Sequence, residues 1–412
     1  MARFHLRCSE CGATYREDPE RLLCRDCSGL QEPGGVTRGV LEVVIDELPA
    51  TWPSAEPSSG AFLTAFLPIP SAEHLPPIPV GGTPLLPVPG LRRQLRMPDL
   101  WVKDDTRNPS GSTKDRASLL VVAKAREYDR GTVAAASSGN AATALAAISA
   151  AAGIRAVVMV PASVPEGKLA QMLAYGADVL PVDGTYDQAF ELCMAACERF
   201  GWYNRNTAVN PFTVEGKKTA ALEIAAALAP EEADVVVVPT GDGVILAGVA
   251  KGFADLERAG LISRRPRLVA VQPRGTAAIV HALRDGASDV TPVTDAHSVA
   301  DSLVVQTPRN ARSCLRRVRE SGGAGVTVTD EAILAAIARL ARTTGVFAEP
   351  AAAAALAGLE AALEEDLIDR GERAVLLVTG TGLKDVPAAL RAVRRPAPVA
   401  PELAAVAERL RG

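Results

Sequence analysis

From Gly81 onward the chain alternates short apolar runs with Ala-rich amphipathic segments, and nothing else constrains its fold as strongly. The apolar runs at 100–103, 132–136, 156–160, 178–182, 235–239, 267–271 and 375–379 have the length and composition of buried strands. Segments 115–129, 141–152, 165–175, 186–200, 213–228, 243–259, 330–343 and 351–365 carry helical periodicity. Buried strands joined through helices make largely parallel sheets covered on both faces, so the fold class is α/β. In such sheets ligands sit beyond the carboxyl ends of the strands, and chemistry is to be sought in the turns there.

The chain has 412 residues, 48% of them hydrophobic, enough for a large core and for two or three domains. Its formal charge of -4 gives no basic excess for nucleic acid or an anionic membrane. Residues 1–30 are charged throughout and lack the apolar stretch of a signal peptide. The most hydrophobic stretches, 141–160 and 347–363, are interrupted by Gly153, Glu349 and Pro350, as in buried elements of a soluble fold. A cytoplasmic protein is expected. Residues 31–80 are rich in Pro, Gly and Ser, and read as a linker wrapping the next domain.

Four of the seven cysteines form two Cys-x-x-Cys pairs, Cys8 with Cys11 and Cys24 with Cys27. Each pair can place two thiolates on one tight turn. Four thiolates make a closed tetrahedral site, the arrangement of structural zinc. Free thiols or an iron–sulfur cluster are the competing readings. Cys193, Cys197 and Cys314 are expected to be small buried hydrophobes. His5, His74, His281 and His297 stand outside every motif and are expected on the surface or in structural roles.

Lys114 lies in Asn108-Pro109-Ser110-Gly111-Ser112-Thr113-Lys114-Asp115-Arg116, a turn-rich run before a helical pattern. The positive end of a helix dipole depresses a lysine pKa there and favours the neutral amine that carbonyl chemistry needs. Three strand-to-helix loops accompany it. Ser137-Ser138-Gly139-Asn140-Ala141 offers hydroxyls and N–H groups for a carboxylate, and an amide for a ring oxygen. Thr240-Gly241-Asp242-Gly243-Val244 lets backbone approach a phosphate, which Asp242 repels unless its side chain turns away. Thr379-Gly380-Thr381-Gly382 puts a hydroxyl where a ring nitrogen can face it. Taken singly, each loop is also an ordinary turn, and Lys114 an ordinary solvated lysine.

Together these residues resemble the fold-type II enzymes dependent on pyridoxal 5'-phosphate (PLP), the tryptophan synthase β-like superfamily, and most of all the threonine synthases. The matching segments are Gly82-Thr83-Pro84-Leu85, Lys103-Asp104-Asp105, Asn108 to Arg116, Ser137 to Asn140, Glu215-Gly216-Lys217-Lys218-Thr219, Gly345-Val346-Phe347-Ala348-Glu349-Pro350 and Thr379 to Asp385. The resemblance implies two parallel-sheet α/β domains with a zinc-ribbon-like module before them. Residues 1–30 form the module, 31–80 the linker, and 81–130 with 205–395 the larger, PLP-binding domain. Residues 131–204 form the smaller α/β domain, and 396–412 a C-terminal helix. By position, Lys114 condenses with the cofactor aldehyde and later moves protons, and Asn140 contacts the PLP O3′. Gly241, Asp242, Gly243, Val244 and Ile245 hold the PLP phosphate through N–H groups, and Thr379 meets the pyridine nitrogen. Ser137, Ser138 and Gly139 grip the substrate carboxylate. A homodimer acting on a small amino acid is implied, with no nucleic-acid or membrane partner.

The chain departs from the family where a substrate phosphate binds. Thr213 stands where threonine synthases usually carry an arginine. Lys217, and Arg309 in Val304-Val305-Gln306-Thr307-Pro308-Arg309-Asn310, can supply the cation. The leading expectation is conversion of O-phospho-L-homoserine and water to L-threonine and phosphate. The rivals are a threonine or serine dehydratase, a cysteate-synthase-like enzyme needing no γ-phosphate site, and a non-catalytic PLP or amino-acid sensor.

Overall fold

The computed structural model describes residues 4–411 apart from 33, 138, 163, 165 and 185. Strands β1 (Phe4–Cys8), β2 (Thr14–Tyr15) and β3 (Leu41–Ile45) form a small antiparallel sheet in the order β2-β1-β3. The chain continues through β4 (Leu85–Pro87) and β5 (Leu100–Asp104), then β6 (Thr132–Ala136), β7 (Arg155–Pro161), β8 (Asp178–Val182) and β9 (Tyr203–Asn204). It closes with β10 (Val235–Pro239), β11 (Arg267–Pro273), β12 (Ala324–Val328) and β13 (Ala374–Val378).

The larger sheet runs β12-β11-β10-β13-β5-β4, parallel except for the β4 edge. The smaller runs β8-β7-β6-β9 and is parallel throughout. Every residue of β10 is buried because helices cover both of its faces. Val235 and Val237 pack with the helices Asp330–Thr344 and Pro350–Glu364, whereas Val236 and Val238 pack with Thr219–Leu228 and Val244–Arg258. Each fully buried Val or Leu contributes about 1.5–3 kcal/mol, and this two-sided burial aligns the sheet's carboxyl edge rigidly. The seven expected strands are all present, most within a residue or two. The stretch expected as one helix over 213–228 is two, Phe212–Lys217 and Thr219–Leu228.

Residues 31–80, expected as a linker wrapping the next domain, also carry regular structure. They contain β3, which completes the sheet of the cysteine module, and the helix Gly60–Phe66, which buries Phe62 and Phe66. Surrounding Pro and Gly masked both elements, whereas pairing with β1 and burial of two aromatic rings stabilise them. The expected C-terminal helix is present as Leu403–Arg411 and has no buried residue. Among the described residues, no helix is long and apolar enough to cross a membrane.

Candidate active site

The carboxyl ends of β6, β9 and β10 converge on one cavity of about 420 Å³, within the size range of small-molecule sites. Lys114 opens into it from the first position of the helix Lys114–Glu127. Two backbone ties fix the approach to that helix: Thr113 N–H donates to Thr379 O at 2.8 Å, and Thr381 N–H to Gly111 O at 3.0 Å. Asp115 folds back on the turn, accepting from Ser110 N–H at 2.7 Å and Ser110 Oγ at 2.5 Å.

Two residues after Lys114, Arg116 anchors the helix. It donates to Asp105 Oδ1 at 2.7 Å and Glu223 Oε1 at 2.5 Å, and Lys103 Nζ donates to Glu223 Oε2 at 2.6 Å. All four side chains are buried. Burial opposes the Asp105 charge, but the Arg116 guanidinium overcomes it and holds the carboxyl at about 2.

Burial pushes the Lys114 amine down to about 8, and the Arg205 cation adds to the shift against opposing pulls from Glu349 and Asp242. The fall expected from the helix dipole is thus present, but its main cause is desolvation. Among the described residues, the Lys114 amine has no hydrogen-bond or ion-pair partner.

Asn140, at the first position of the helix Asn140–Ala152, donates from Nδ2 to Glu349 Oε1 at 2.6 Å, while its buried Oδ1 finds no partner among the described residues. Burial raises the Glu349 pKa. Glu349 therefore orients Asn140 rather than capping the helix Pro350–Glu364.

The helix Val244–Arg258 begins at Gly243 with no side-chain cap, where Gly243, Val244 and Ile245 line the cavity, so its first N–H groups are available to an anion there. Gly243 has φ +85°, and a Cβ there would lie 2.7 Å from Cys314 Cβ. Asp242 is drawn away toward Arg309, whose N–H it accepts at 3.3 Å, and its backbone O accepts Asn310 N–H at 3.1 Å. Burial raises its pKa, which weakens the expected repulsion of a phosphate.

The cavity thus gathers Lys114, Ser137, Gly139, Asn140, Lys217, Gly241, Asp242, Gly243, Val244, Ile245 and Arg309. Ser138 lies outside the described residues. Thr379 is buried beyond the end of β13 and is not in the cavity lining. Arg205 and Asp187 line the cavity although the sequence reading passed over them. Arg205 directly follows β9, so the carboxyl-end rule was the available signal, but β9 has only two residues and reads as loop. Far from the cavity in sequence, the sulfurs of Cys8, Cys11, Cys24 and Cys27 lie within 4.8 Å of one another, as one metal ion would require. Cys193, Cys197 and Cys314 are buried, as expected.

Residues 78–380 match the family described as pyridoxal-phosphate dependent enzyme. The chain belongs to that family. Its members' cofactor fits the cavity on three observations already made: the unpartnered Lys114 amine, the orphaned Asn140 Oδ1 and the uncapped helix start at Gly243. Among PLP-dependent relatives, threonine synthase of Methanosarcina acetivorans is 37% identical over 417 residues, covering 99% of each chain. Threonine synthase of Methanocaldococcus jannaschii is 37% identical over 391 residues, 95% of each chain. The solved threonine deaminase isoform 2 of Solanum lycopersicum superposes with a TM-score of 0.65 at 22% identity, covering 82% of this chain and 90% of its own. The L-serine ammonia-lyase of Rhizomucor miehei gives 0.65 at 20% identity, covering 75% and 96%. These two establish the fold-type II architecture of PLP enzymes and nothing narrower.

Proposed function

We propose that the chain is a threonine synthase, converting O-phospho-L-homoserine and water to L-threonine and phosphate. The observation that carries a phosphorylated substrate is Lys217. It is 1% exposed, lines the cavity, and has no hydrogen-bond or ion-pair partner among the described residues. Burial drives its pKa well down, and Lys114 and Arg205 push in the same direction. A buried amine in this state gains most from a dianion brought into the cavity. Thr213 cannot substitute, because it is fully buried with its hydroxyl donating to Asn210 O at 2.7 Å. Arg309 lines the same cavity, but Asp187 accepts from it at 2.5 Å and its guanidinium stacks 4.0 Å from the Phe190 ring centroid. Arg309 therefore serves at the rim, with Lys217 and Arg205 nearer Lys114.

Lys114 would hold PLP, Asn140 would meet its ring oxygen, and the N–H groups at 241–245 its phosphate. By its position in the family's motif, Thr379, buried behind the cavity lining at the end of β13, would turn its hydroxyl to the ring nitrogen. When bound, PLP supplies an electron sink for the carbanion left by proton loss at Cα. Ser137 and Gly139, with Ser138, orient the substrate carboxylate. Lys114, whose amine is brought down to about 8 and so has a neutral fraction at neutral pH, takes the Cα proton and returns protons at later steps. Arg205, with Lys217 once the phosphate dianion restores its charge, neutralises charge on the departing phosphate before water adds at Cβ. The four thiolates at Cys8, Cys11, Cys24 and Cys27 hold structural zinc in this reading, and the protein works in the cytoplasm as a homodimer.

The test is a product screen of the purified holoprotein. Phosphate and threonine in equal amounts from O-phosphohomoserine are expected. Production of 2-oxobutyrate from threonine, with no phosphate from O-phosphohomoserine, would make it a dehydratase. A β-substituted product from O-phosphoserine would place it with the cysteate-synthase-like enzymes.

A further inference from the structure

The cysteine module touches the cofactor loop through a short run of polar contacts that starts inside the first Cys-x-x-Cys turn. Glu10 sits between Cys8 and Cys11, and its own N–H points at Cys8 Sγ, 3.4 Å away. Its carboxylate is 17% exposed and fully used. Oε1 accepts Gly39 N–H at 2.5 Å, while Oε2 accepts Arg38 Nε at 2.7 Å and Arg312 Nη1 at 2.9 Å. Gly39 also joins the second cysteine pair, its O accepting Cys24 N–H at 2.8 Å. At φ +70°, a Cβ on Gly39 would lie 2.9 Å from Ser28 N and 3.0 Å from Cys24 O, so this junction has no slack.

Both arms of Glu10 end at the active site. Along the first, Thr37 N–H, two residues before Gly39, donates to Arg309 O at 3.0 Å. Arg309 N–H in turn holds Asp242 Oδ1 at 3.3 Å, and Asn310 N–H holds Asp242 O at 3.1 Å. Along the second, Arg312 belongs to the helix Ala311–Glu320 that follows Asn310 directly. Asp242 stands between the two glycines of the loop whose N–H groups face the cavity.

We infer that Glu10 is a positioning residue through which a metal ion on Cys8, Cys11, Cys24 and Cys27 sets how tightly the Gly241–Gly243 loop holds the PLP phosphate. The metal closes the two turns on each other and thereby fixes Glu10 and Gly39. These fix the 37–39 segment and Arg312, and so the backbone of Arg309 and Asn310 that braces Asp242. Without metal the turns separate and the brace loosens, while the two parallel sheets keep their own cores. The inference rests on the reading above that this loop holds the cofactor phosphate.

The test is titration of PLP into cofactor-free full-length protein by visible absorbance, with zinc bound and after its removal by chelation, zinc content being measured in both. For the wild type, zinc removal is expected to weaken PLP binding about fivefold or more, the worth of roughly one net hydrogen bond. Glu10→Gln with zinc bound should already show that weakening, and zinc removal should then add less than twofold. Arg312→Met, which cuts the second arm but leaves Glu10 its bonds to Gly39 and Arg38, should give a partial loss and serves if Glu10→Gln fails to retain zinc. An unchanged wild-type affinity after zinc removal overturns the inference, as does a zinc effect undiminished in both variants. A zinc-loaded wild type that takes up no PLP at all sinks the cofactor reading itself, a result distinct from either.

Discussion

Lys114 and Lys217 share a cavity, yet their surroundings suit them to different work. Lys114 is brought to about 8 and left without a partner, so a useful neutral fraction exists at neutral pH. Capture of PLP by the cofactor-free protein should therefore accelerate about tenfold per pH unit below 8 and level off above it, since only the neutral amine attacks an aldehyde. Stopped-flow absorbance across pH 6–10 measures this, and a flat profile would contradict the assigned amine. Lys217 is buried with no hydrogen-bond or ion-pair partner among the described residues, and the pull of Asp242 does not offset its desolvation. Lys217→Met should raise KM for O-phosphohomoserine by roughly thirtyfold or more, on the order of 2 kcal/mol. The same change should leave the thermal midpoint of the cofactor-free protein equal or higher, because it removes an uncompensated buried amine. A fall in the midpoint with KM unchanged would show that Lys217 is structural.

At the scale of elements, the helix Lys114–Glu127 is held at its start by a buried charge network reaching β5 and the helix Thr219–Leu228. Breaking such a network leaves charges uncompensated, which costs more than the intact network contributes. Arg116→Met strands Asp105 and Glu223, and should destabilise the protein by about 3–5 kcal/mol in denaturant titration. The network's acidic groups fall below their usual range, so its contribution is present above about pH 4 and is lost as pH falls through about 2, where Asp105 protonates. The sequence showed Lys103, Asp105 and Arg116 within matching segments. Glu223 was invisible, because it is more than a hundred residues from Arg116 and looks like any solvent-facing glutamate of an amphipathic helix.

For the whole molecule, the two larger sheets meet around the cavity, the cysteine module packs outside its lining, and the C-terminal segment stays apart from both. The helix Leu403–Arg411 buries no residue, with Leu403 90% and Leu410 82% exposed. A chain ending at Arg395 should keep its thermal midpoint within about 2 °C and its kcat within twofold, since few buried contacts are removed. A large loss in calorimetry or turnover would mean that this helix docks on another copy of the chain. The module contributes more, with Lys124 of the Lys114 helix and Tyr128 at that helix's end both donating to Glu17.

The sequence by itself determined the α/β class, the seven strands, Lys114 and two of its three loops as segments lining the cavity, and the paired cysteines. Each of these is a local signal: a buried parallel strand is apolar, glycine lets a turn approach an anion closely, and a Cys-x-x-Cys turn supplies two thiolates at once. Tertiary structure alone decided what depends on residues distant along the chain. It brought Arg205 beside Lys217, turned Asp242 toward Arg309, and set Glu349 to orient Asn140. It also made a strand of residues 41–45, amid Pro and Gly that read as linker, because β1 supplies the hydrogen-bonding edge. Such partners are chosen by packing and by the cost of an unpaired buried group, and neither quantity exists until the sheets have assembled.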